Sequence, residues 1–523
     1  MTTEQDLRLK LFNTLLTTPH RDLASIYPVH QEILKADPRF YVQLAAWYFA
    51  EGEVRDHKEV FVTSLALSDF PGHRDVGLAL LRQLPPYEVG RVLDFVKGHE
   101  LRRRVKIIDV VEMVTEKQGL FRNVPRSMKT EVTRYLRERE ADADWFDNSV
   151  LQARQAVKRL YASLHIVPSA RAQAILFDDN PPPDSRLFAL KQIARAQTPA
   201  EQARAIVEHR IPYRVAVSAI KQLTPTVLVA LIDRMSPQEL INNLGSLRRR
   251  GALDNREVKA LVESKLEKAK TAERVSAYKA KKAIEASGIG EDVARKLEAV
   301  TEAQVRAKGV ILRSTALLID KSGSMEQAIE MGKQIAAMIA GVCQAPLFVY
   351  AFDSLAYPIG VPRRDGAAIG FLASLWRREG RESQSDQGQP SLVDWEMAFA
   401  GIKAAGQTSC GVAVEMMRRQ KQVVEQIVMV TDEGENTEPR FVQALARYQA
   451  ELMANPHVVF IKTQRAVSVL EMECQQARID YDVYQFTGDY YALPNLLPLL
   501  SRPTKLDLLL EIMAYPLPAR KTA

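Results

Sequence analysis

The stretch ILRSTALLIDKSGSM (Ile311–Met325) predicts the fold of the second half of the chain. Its apolar run, Ala316–Ile319, has the length and composition of a buried parallel strand. The run ends in a short polar turn, after which a helical pattern begins. Alternate residues of a turn can point the same way, so Asp320, Ser322 and Ser324 are expected to converge. They would lie at the carboxyl end of a strand and beside a helix N-terminus, where α/β sheets bind ligands.

Two later segments add oxygen side chains to this turn. The loop GQTSCG (Gly406–Gly411) contains Thr408, and a second apolar strand ends in Asp432. If the two strands are parallel neighbours, both carboxylates lie at one edge of the sheet. Carboxylates and hydroxyls without His or Cys suit a hard cation, Mg²⁺ or another divalent ion. The candidate metal ligands are Asp320, Ser322, Ser324, Thr408 and Asp432.

This set of residues predicts binding and not catalysis. Neither serine of the turn has a histidine nearby in the sequence, and the chain has no G-x-S-x-G motif. A metal-dependent nuclease is disfavoured, because two-metal phosphodiester chemistry needs more clustered ligands than one hard-metal site. A purely structural turn is the alternative, since turns favour Asp and Ser.

The length and composition indicate a soluble protein of two or more domains. A chain of 523 residues is too long for one hydrophobic core. No apolar run approaches the roughly 20 residues of a membrane helix, and the N-terminus lacks the layout of a secretory signal. The three cysteines are far apart, which argues against a disulfide framework or a Cys-type zinc site. We therefore predict a cytoplasmic location.

The first half of the chain, to about Ser287, shows apolar residues at three- and four-residue spacing, typical of helices. Short connectors with Pro, Gly or Asp separate the segments, and we predict no strand in this half. Paired helices at roughly 35–45-residue intervals fit a HEAT-like α-solenoid. An irregular helical bundle is the alternative.

The second half, from about Val310, alternates strands and helices, which predicts a doubly wound, Rossmann-like α/β sheet. A polar interruption, Arg377–Asp394, predicts a mobile loop. The predicted strands are Thr315–Ile319, Leu347–Phe352, Glu425–Thr431, Val458–Lys462 and Tyr481–Phe486. The predicted domains are 1–290 (helical), 291–310 (linker), 311–500 (α/β) and 501–523 (C-terminal helix and tail).

Positive charge is concentrated in clusters of the helical half. The net charge is +7, and helical repeats present extended surfaces, so a polyanionic partner is favoured. The alternative is a solvated, salt-bridged helix face. Aromatic residues near the clusters are few, so if the polyanion is a nucleic acid, we predict a weak preference for its base sequence. We expect these aromatic residues to pack in the core. They are Tyr135, Tyr161, Tyr213 and Tyr278.

Both halves resemble known families. The set D-x-S-x-S … T … D, ending in TDEGEN (Thr431–Asn436), resembles the metal-ion-dependent adhesion site of von Willebrand factor type A domains. The helical half resembles the TROVE module of Ro-type ribonucleoproteins, most clearly over MSPQELINNLGSLRRRGAL (Met235–Leu253). The other similar stretches are His209–Val217, Arg274–Ala283 and, more loosely, Leu160–Ser169. The resemblance is faint over residues 1–120.

Ro-type proteins are similar in layout, a ring of helical repeats closed by an A-type domain. The resemblance implies a non-enzymatic, monomeric ring that binds small non-coding (Y-like) RNA on its basic surface and single-stranded RNA ends in a central hole. It also implies RNA quality control, an exoribonuclease or other protein partner, and Mg²⁺ with one position open to an acidic group. The RNA-binding candidates are Arg122, Arg126, Lys129, Arg134, Arg137, Lys158, Arg159, His165, Arg248, Arg249 and Arg250.

Two points of this interpretation have alternatives. For His165, which lies between apolar neighbours, the alternative to an RNA contact is the packed, hydrogen-bonded role that a lone histidine usually has. A protein-interaction adaptor is the competing function, in which the metal site binds an acidic residue of a partner and the helical half is scaffold. Three residues near the metal set depart from the family's pattern or add charge: Lys321, Glu433 and Glu435.

Overall fold

The computed structural model describes residues 23–52, 54–107, 110–273, 275–287, 289–362, 368–369, 390–463, 467–485, 496–497, 500–501 and 505–520. They divide into two compact units. The helical unit contains the residues up to 301 and those from 512 onward, and the sheet unit contains residues 302–511. The predictions for residues 1–22 and for the greater part of the polar loop, 377–389, lie outside the described residues. No described helix is long and apolar enough to cross a membrane.

The helical unit begins with five helices. Asp37 caps the second of them, its side chain accepting a hydrogen bond from the Phe40 N–H at 3.0 Å. The chain then forms a β-hairpin before the helices resume. These first helices are α1 (Leu23–Ala36), α2 (Pro38–Glu51), α3 (Arg55–Ala66), α4 (His73–Leu81) and α5 (Pro86–Lys97).

Eleven further helices follow the hairpin among the described residues. Many begin at a Ser, Thr or Asp cap, as at Thr198, which forms a capping box with Glu201. They are α6 (Arg126–Ala141), α7 (Ala143–Leu164), α8 (Ala170–Leu176), α9 (Arg186–Arg195), α10 (Pro199–His209), α11 (Tyr213–Ala219), α12 (Pro225–Arg234), α13 (Pro237–Arg249), α14 (Arg256–Ala269), α15 (Ala277–Ser287) and α16 (Glu291–Ala307).

Each helix of this unit packs mainly against a near neighbour in sequence. Helix α1 contacts α3, α3 contacts α5, α10 contacts α12, and α12 contacts α14. Packing on the next helix but one is typical of stacked helical repeats. The segment predicted as a linker, 291–310, is helical as far as Ala307, and its Val293, Leu297 and Val300 lie in the core of this unit.

The prediction that this half contains no strand is wrong. Strand β1 (His99–Ile107) pairs antiparallel with β2 (Val110–Gln118), with His99 opposite Gln118. The physical reason is the concentration of β-branched residues between 105 and 115, which favours extended backbone. The arginines at 102–104 obscure that pattern in the sequence. They lie on β1, and their side chains are outside the described part.

The sheet unit contains six strands in the order β10-β9-β8-β3-β4-β5. All neighbouring pairs are parallel except β4 and β5. The predicted doubly wound sheet is therefore confirmed, and the predicted strand boundaries hold to within one residue. The strands are β3 (Thr315–Asp320), β4 (Leu347–Phe352), β5 (Ala356–Pro358), β8 (Gln426–Thr431), β9 (His457–Lys462) and β10 (Tyr481–Gln485), with a small separate pair, β6 (Val361–Pro362) and β7 (Ala368–Ile369).

Helices cover the sheet and follow its central strands. Every residue of β3 and of β8 is buried, as expected of strands at the centre of a doubly wound sheet. A 3₁₀ turn (Gly323–Gln327) precedes the first of these helices. These helices are α17 (Ile329–Val342), α18 (Leu392–Ala400), α19 (Val412–Arg419), α20 (Phe441–Leu452) and α21 (Val469–Gln476), and a last helix, α22 (Lys505–Ala514), follows near the C-terminus.

The C-terminal tail returns to the helical unit. Arg520 forms an ion pair with the buried carboxylate of Glu131 at 2.8 Å (Nε to Oε2) and with Asp75 at 3.1 Å (Nη1 to Oδ1). The sequence pattern predicted only a helix and a tail for residues 501–523. These pairs depend on residues several hundred positions away, which local periodicity cannot register.

Candidate functional site

The candidate metal ligands meet at the carboxyl ends of β3 and β8, which are neighbours in the sheet. Asp320 ends β3 and is fully buried. Its Oδ1 accepts a hydrogen bond from the Ser322 N–H at 2.9 Å, and its Oδ2 accepts one from the Thr431 hydroxyl at 2.7 Å. Both carboxylate oxygens are therefore held in place by the turn and by the adjacent strand.

The turn and the end of β8 approach each other around Gly434. The hydroxyl oxygens of Ser322 and Ser324 are 3.1 Å apart. The Oδ1 atom of Asp432 accepts a hydrogen bond from the Gly434 N–H at 3.1 Å. A methyl group added to Gly434 would lie 3.2 Å from this Oδ1 and 3.9 Å from the Ser324 hydroxyl oxygen. Glycine thus leaves space between the oxygen atoms of Asp432 and Ser324.

Thr408 is brought to the same edge by hydrogen bonds between three loops. The Gly323 N–H donates to the Gly406 carbonyl at 3.0 Å, which joins its loop to the turn. The Thr408 N–H donates to Oδ1 of Asn436 at 2.9 Å, which joins it to the loop after β8. Gly406 has φ +88°, a conformation that favours glycine. The structure therefore brings the segments of all five predicted ligands together.

The electrostatics of the site fit a cation. Burial, and to a smaller extent the negative charge of Asp432, raise the pKa of Asp320 to about 6. The described residues contain no cluster of three or more His, Cys, Asp and Glu side chains suited to a metal. A cation here would depend on two carboxylates and three hydroxyls. This donor set fits Mg²⁺, which binds a few protein oxygens and keeps several waters.

The three departing residues have structural partners of their own. The Lys321 ammonium forms an ion pair with Asp353. Glu433 is buried beside Lys462, with 3.4 Å between Oε1 and Nζ. Glu435 Oε1 accepts hydrogen bonds from the N–H groups of Cys410 and Phe441, both at 2.9 Å, and so ties the Thr408 loop to α20. Burial raises the pKa of both glutamates to about 7.

Gly411 provides a test of how tightly the Thr408 loop is packed. A methyl group added to it would lie 2.5 Å from the Arg440 carbonyl oxygen and 2.6 Å from that of Pro439. We expect Gly411→Ala to lower the free energy of unfolding by about 1–3 kcal/mol, the usual cost of overpacking. Gly401→Ala is the matched control, because a methyl group there meets no atom within 4 Å. Denaturant unfolding that gave both variants the same stability would contradict this account.

A groove in the helical unit brings together three of the predicted RNA-binding residues. Arg122, Lys129 and His165 line a cavity of about 400 Å³. Lys97, at the end of α5, lines it as well and donates a hydrogen bond from Nζ to the Ser163 carbonyl at 2.7 Å. The Phe121 side chain also lines the cavity and is 49% exposed. We call this cavity the basic groove.

The predicted basic residues differ in their ion pairs. Within the described ranges, Arg122, Arg126 and Lys129 are exposed and have no carboxylate within ion-pair distance. By contrast, Arg134, Arg137 and Arg159 pair with Glu131, Glu140 and Asp94, respectively. The salt-bridged helix face that was the alternative therefore describes the second group, whereas the first group has no such ion pairs among the described residues.

The remaining predicted residues lie outside the basic groove. Lys158 is half-buried, and its ammonium is 5.0 Å from the centre of the Phe177 ring. Arg248, Arg249 and Arg250 are exposed at the C-terminal end of α13, where positive charge stabilises the helix. His165 is exposed, not packed into the core.

Sequence reasoning missed Lys97 and Phe121. Lys97 ends a helix whose packing partner, α7, begins more than forty residues later. Phe121 had a local signal, since it lies in the connector before the helix that Pro125 precedes. An aromatic residue there is not part of the apolar periodicity of a helix. The tyrosines were predicted correctly, because Tyr135, Tyr161 and Tyr213 are buried. The Tyr278 side chain is outside the described part.

Comparisons with known proteins show the fold. No protein-family model matches the chain, and no curated protein matches it. The crystal structure of the Deinococcus radiodurans Ro (RSR) protein is similar, with a TM-score of 0.53, 16% sequence identity and 94% of each chain covered. A von Willebrand factor type A protein from Catenulispora acidiphila has 13% identity over 37% of this chain and 43% of its own, but its TM-score of 0.26 supports no argument. The chain therefore has the fold of a Ro protein, helical repeats combined with a doubly wound α/β sheet.

Proposed function

We propose that this protein is a Ro-like RNA-binding protein, without enzymatic activity, that assembles a ribonucleoprotein. The observation that carries the proposal is the basic groove, in which Arg122, Lys129 and His165 line one cavity. Unpaired arginine and lysine side chains are the groups that neutralise phosphates, and arginine binds phosphate through two parallel hydrogen bonds. The likeness to a Ro protein supports the same partner.

The proposal includes the finer roles that Ro-type proteins have. Small structured Y-like RNA would bind the basic surface of the helical unit, and single-stranded RNA ends would be bound elsewhere on the protein. RNA quality control with an exoribonuclease partner, a monomeric state and a cytoplasmic location belong to the same proposal. The exposed Arg248–Arg250 at the end of α13 would add phosphate contacts.

Purification without nuclease treatment tests the proposed function. We expect the protein to carry RNA, seen as raised ultraviolet absorbance at the nucleic-acid maximum. The RNA-free protein should bind a structured RNA with an affinity that falls as salt rises, because phosphate contacts release counterions. Material free of nucleic acid, with no salt-sensitive binding to structured RNA, would contradict the proposal. RNA cleavage abolished by Asp432→Ala would contradict the non-enzymatic part.

We further propose that the sheet unit binds Mg²⁺ through Asp320, Ser322, Ser324, Thr408 and Asp432. Burying Asp320 close to Asp432 opposes the ionised form of Asp320, and a divalent cation would favour it. A ligand at 100 times its Kd stabilises the folded state by about 2.7 kcal/mol. For a unit of this size that corresponds to roughly 5–10 °C in Tm. We expect this shift with MgCl₂ and none with NaCl of equal ionic strength, and its persistence in Asp320→Asn would exclude the site.

The adaptor is the second candidate function, and the same site favours it. An acidic side chain of a protein partner would complete the coordination of the cation, since Mg²⁺ accepts external oxygens. Asp320→Ala separates the two functions. Loss of a protein partner with unchanged RNA affinity would support the adaptor. If Asp320→Ala loses neither a protein partner nor RNA affinity, only the RNA-binding function is left.

A further inference from the structure

Phe121 is an aromatic side chain whose exposure the core does not explain. Its ring is 49% exposed and lines the basic groove beside Arg122. Most large aromatic residues of this unit are buried, as Tyr135 and Tyr161 are. An exposed aromatic ring beside unpaired cations is the combination that binds unpaired nucleotides.

The backbone on both sides of Phe121 is fixed. The Leu120 N–H donates to the Phe95 carbonyl at 2.7 Å, and the Arg122 N–H donates to the Val96 carbonyl at 2.9 Å. Both acceptors lie in the last turn of α5. Because the residues before and after it are held there, the Phe121 side chain has a defined position at the rim of the groove.

One face of the ring is covered and the ring is thereby oriented. A methyl group added to Gly98 would lie 2.8 Å from two atoms of the ring, so the ring rests against the Gly98 backbone. Gly98 and Gly119 close the base of the β1–β2 hairpin with φ of +72° and +104°. The Lys117 ammonium lies 5.7 Å from the centre of the ring, within cation–π distance.

Two strained residues line this groove. Phe121 has φ +50° and His165 has φ +53°, left-handed conformations that cost about 1–2 kcal/mol for a residue with a side chain. His165 caps the end of α7, where glycine is the usual residue. Strain that the surroundings maintain is commonly found at ligand-binding sites. Here it holds an imidazole and a phenyl ring at one cavity.

We propose that Phe121 is a stacking platform for the base of one unpaired RNA nucleotide, and that Arg122 and Lys129 bind the phosphates on either side of that nucleotide. The proposal rests on the RNA-binding function above and specifies the RNA. A base inside a duplex is covered on both faces by its neighbours, so only a bulged, looped or terminal base can stack on the ring. The basic groove therefore selects structured RNA that carries an unpaired nucleotide. Stacking does not depend on base identity, since every base has a π face.

Two hairpin RNAs test this, identical except for one bulged nucleotide. We expect the wild-type protein to bind the bulged RNA at least tenfold more tightly than the fully paired one, since one stacked base contributes about that much. Phe121→Gly should remove this preference, so that the variant binds the two RNAs with the same affinity. Glycine accommodates φ +50°, so the variant should fold. With 2-aminopurine as the bulged base, its fluorescence should be quenched by the wild type and not by the variant.

Two further variants distinguish stacking on the ring from contact with its apolar volume. Phe121→Trp should retain the preference, whereas Phe121→Leu, which keeps apolar volume without a π system, should lose it. Equal affinity of the wild type for the two RNAs, or a preference that survives in Phe121→Gly, would overturn the platform and leave the proposed function intact. Failure of the wild type to bind either RNA would instead refute the proposed function.

Discussion

Replacing Arg122 and Lys129 together by glutamate is expected to weaken binding of structured RNA by about 100-fold at physiological salt. Each charge-assisted contact that is lost costs about 1.5 kcal/mol, which is about tenfold in affinity. The two side chains line one groove and are exposed, so the change should remove two phosphate contacts without disturbing the core. The dependence of log K on log salt concentration should also become shallower, by about 1.4–1.8.

The matched control changes net charge equally at another surface. Arg447→Glu with Lys403→Glu alters two exposed residues of the sheet unit and should leave RNA affinity within about twofold. Arg137→Gln is a control within the helical unit, because Arg137 pairs with Glu140. Filter binding or fluorescence anisotropy at several salt concentrations measures both quantities. An equal loss in the control pair would show that only overall charge matters.

Arg91→Met is expected to destabilise the helical unit by about 3–5 kcal/mol, the range for removing one partner of a buried ion pair. Arg91 contacts two buried carboxylates, with Nη2 at 2.8 Å from Asp56 Oδ1 and Nη1 at 3.0 Å from Glu59 Oε1. Methionine keeps most of the packed volume but supplies no charge. Thermal or denaturant unfolding measures the difference. Arg55→Met is the matched control, because Arg55 is largely exposed and its pair with Glu88 should contribute at most about 1 kcal/mol.

The defect of Arg91→Met should grow with pH. Burial raises the pKa of Glu59 to about 9, and Arg91 opposes that rise. A carboxyl group with a raised folded-state pKa contributes stability that is present below its unfolded pKa, about 4.5, and lost as pH rises. Without Arg91 the folded-state pKa is higher still. Between about pH 5 and pH 8 Glu59 is protonated in both folded proteins, so the wild type and the variant lose stability alike. Above about pH 9 only the wild type ionises Glu59, so the stability difference should widen there. Glu59→Gln should remove much of this widening, and a defect that stays constant from about pH 8 to about pH 10 would contradict the assignment.

The convergence of the candidate metal ligands could be predicted in large part, because the two carboxylates lie at strand ends. Asp320 and Asp432 follow apolar runs that are recognisable from composition alone, and neighbouring parallel strands bring their ends to one edge. The partners that hold the site were not predictable in the same way. Glu435 and Lys321 looked like extra charge near the cation, whereas each contacts another element through tertiary packing.

The basic groove was predictable only in part. Arg122 and Lys129 are close in sequence, so their proximity followed from a short connector and one helical turn. Lys97 and His165 are joined by the packing of α5 against α7, which no local pattern encodes. Because local sequence does not encode helix packing, it could not distinguish arginines with an ion-pair partner from arginines without one. Whether an arginine binds phosphate or a neighbouring glutamate depends on which carboxylate the fold brings to it.

The docking of Arg520 beside Glu131 has a consequence for biosynthesis and for dissection of the protein. The helical unit is encoded discontinuously, with residues 302–511 of the sheet unit inserted before its last segment. During translation its early helices must therefore await the final residues before Glu131 gains Arg520 in addition to Arg82 and Arg134. A fragment ending near residue 301 would leave the helical unit incomplete. A linker that joins residue 301 to residue 512 would supply the missing piece without the sheet unit.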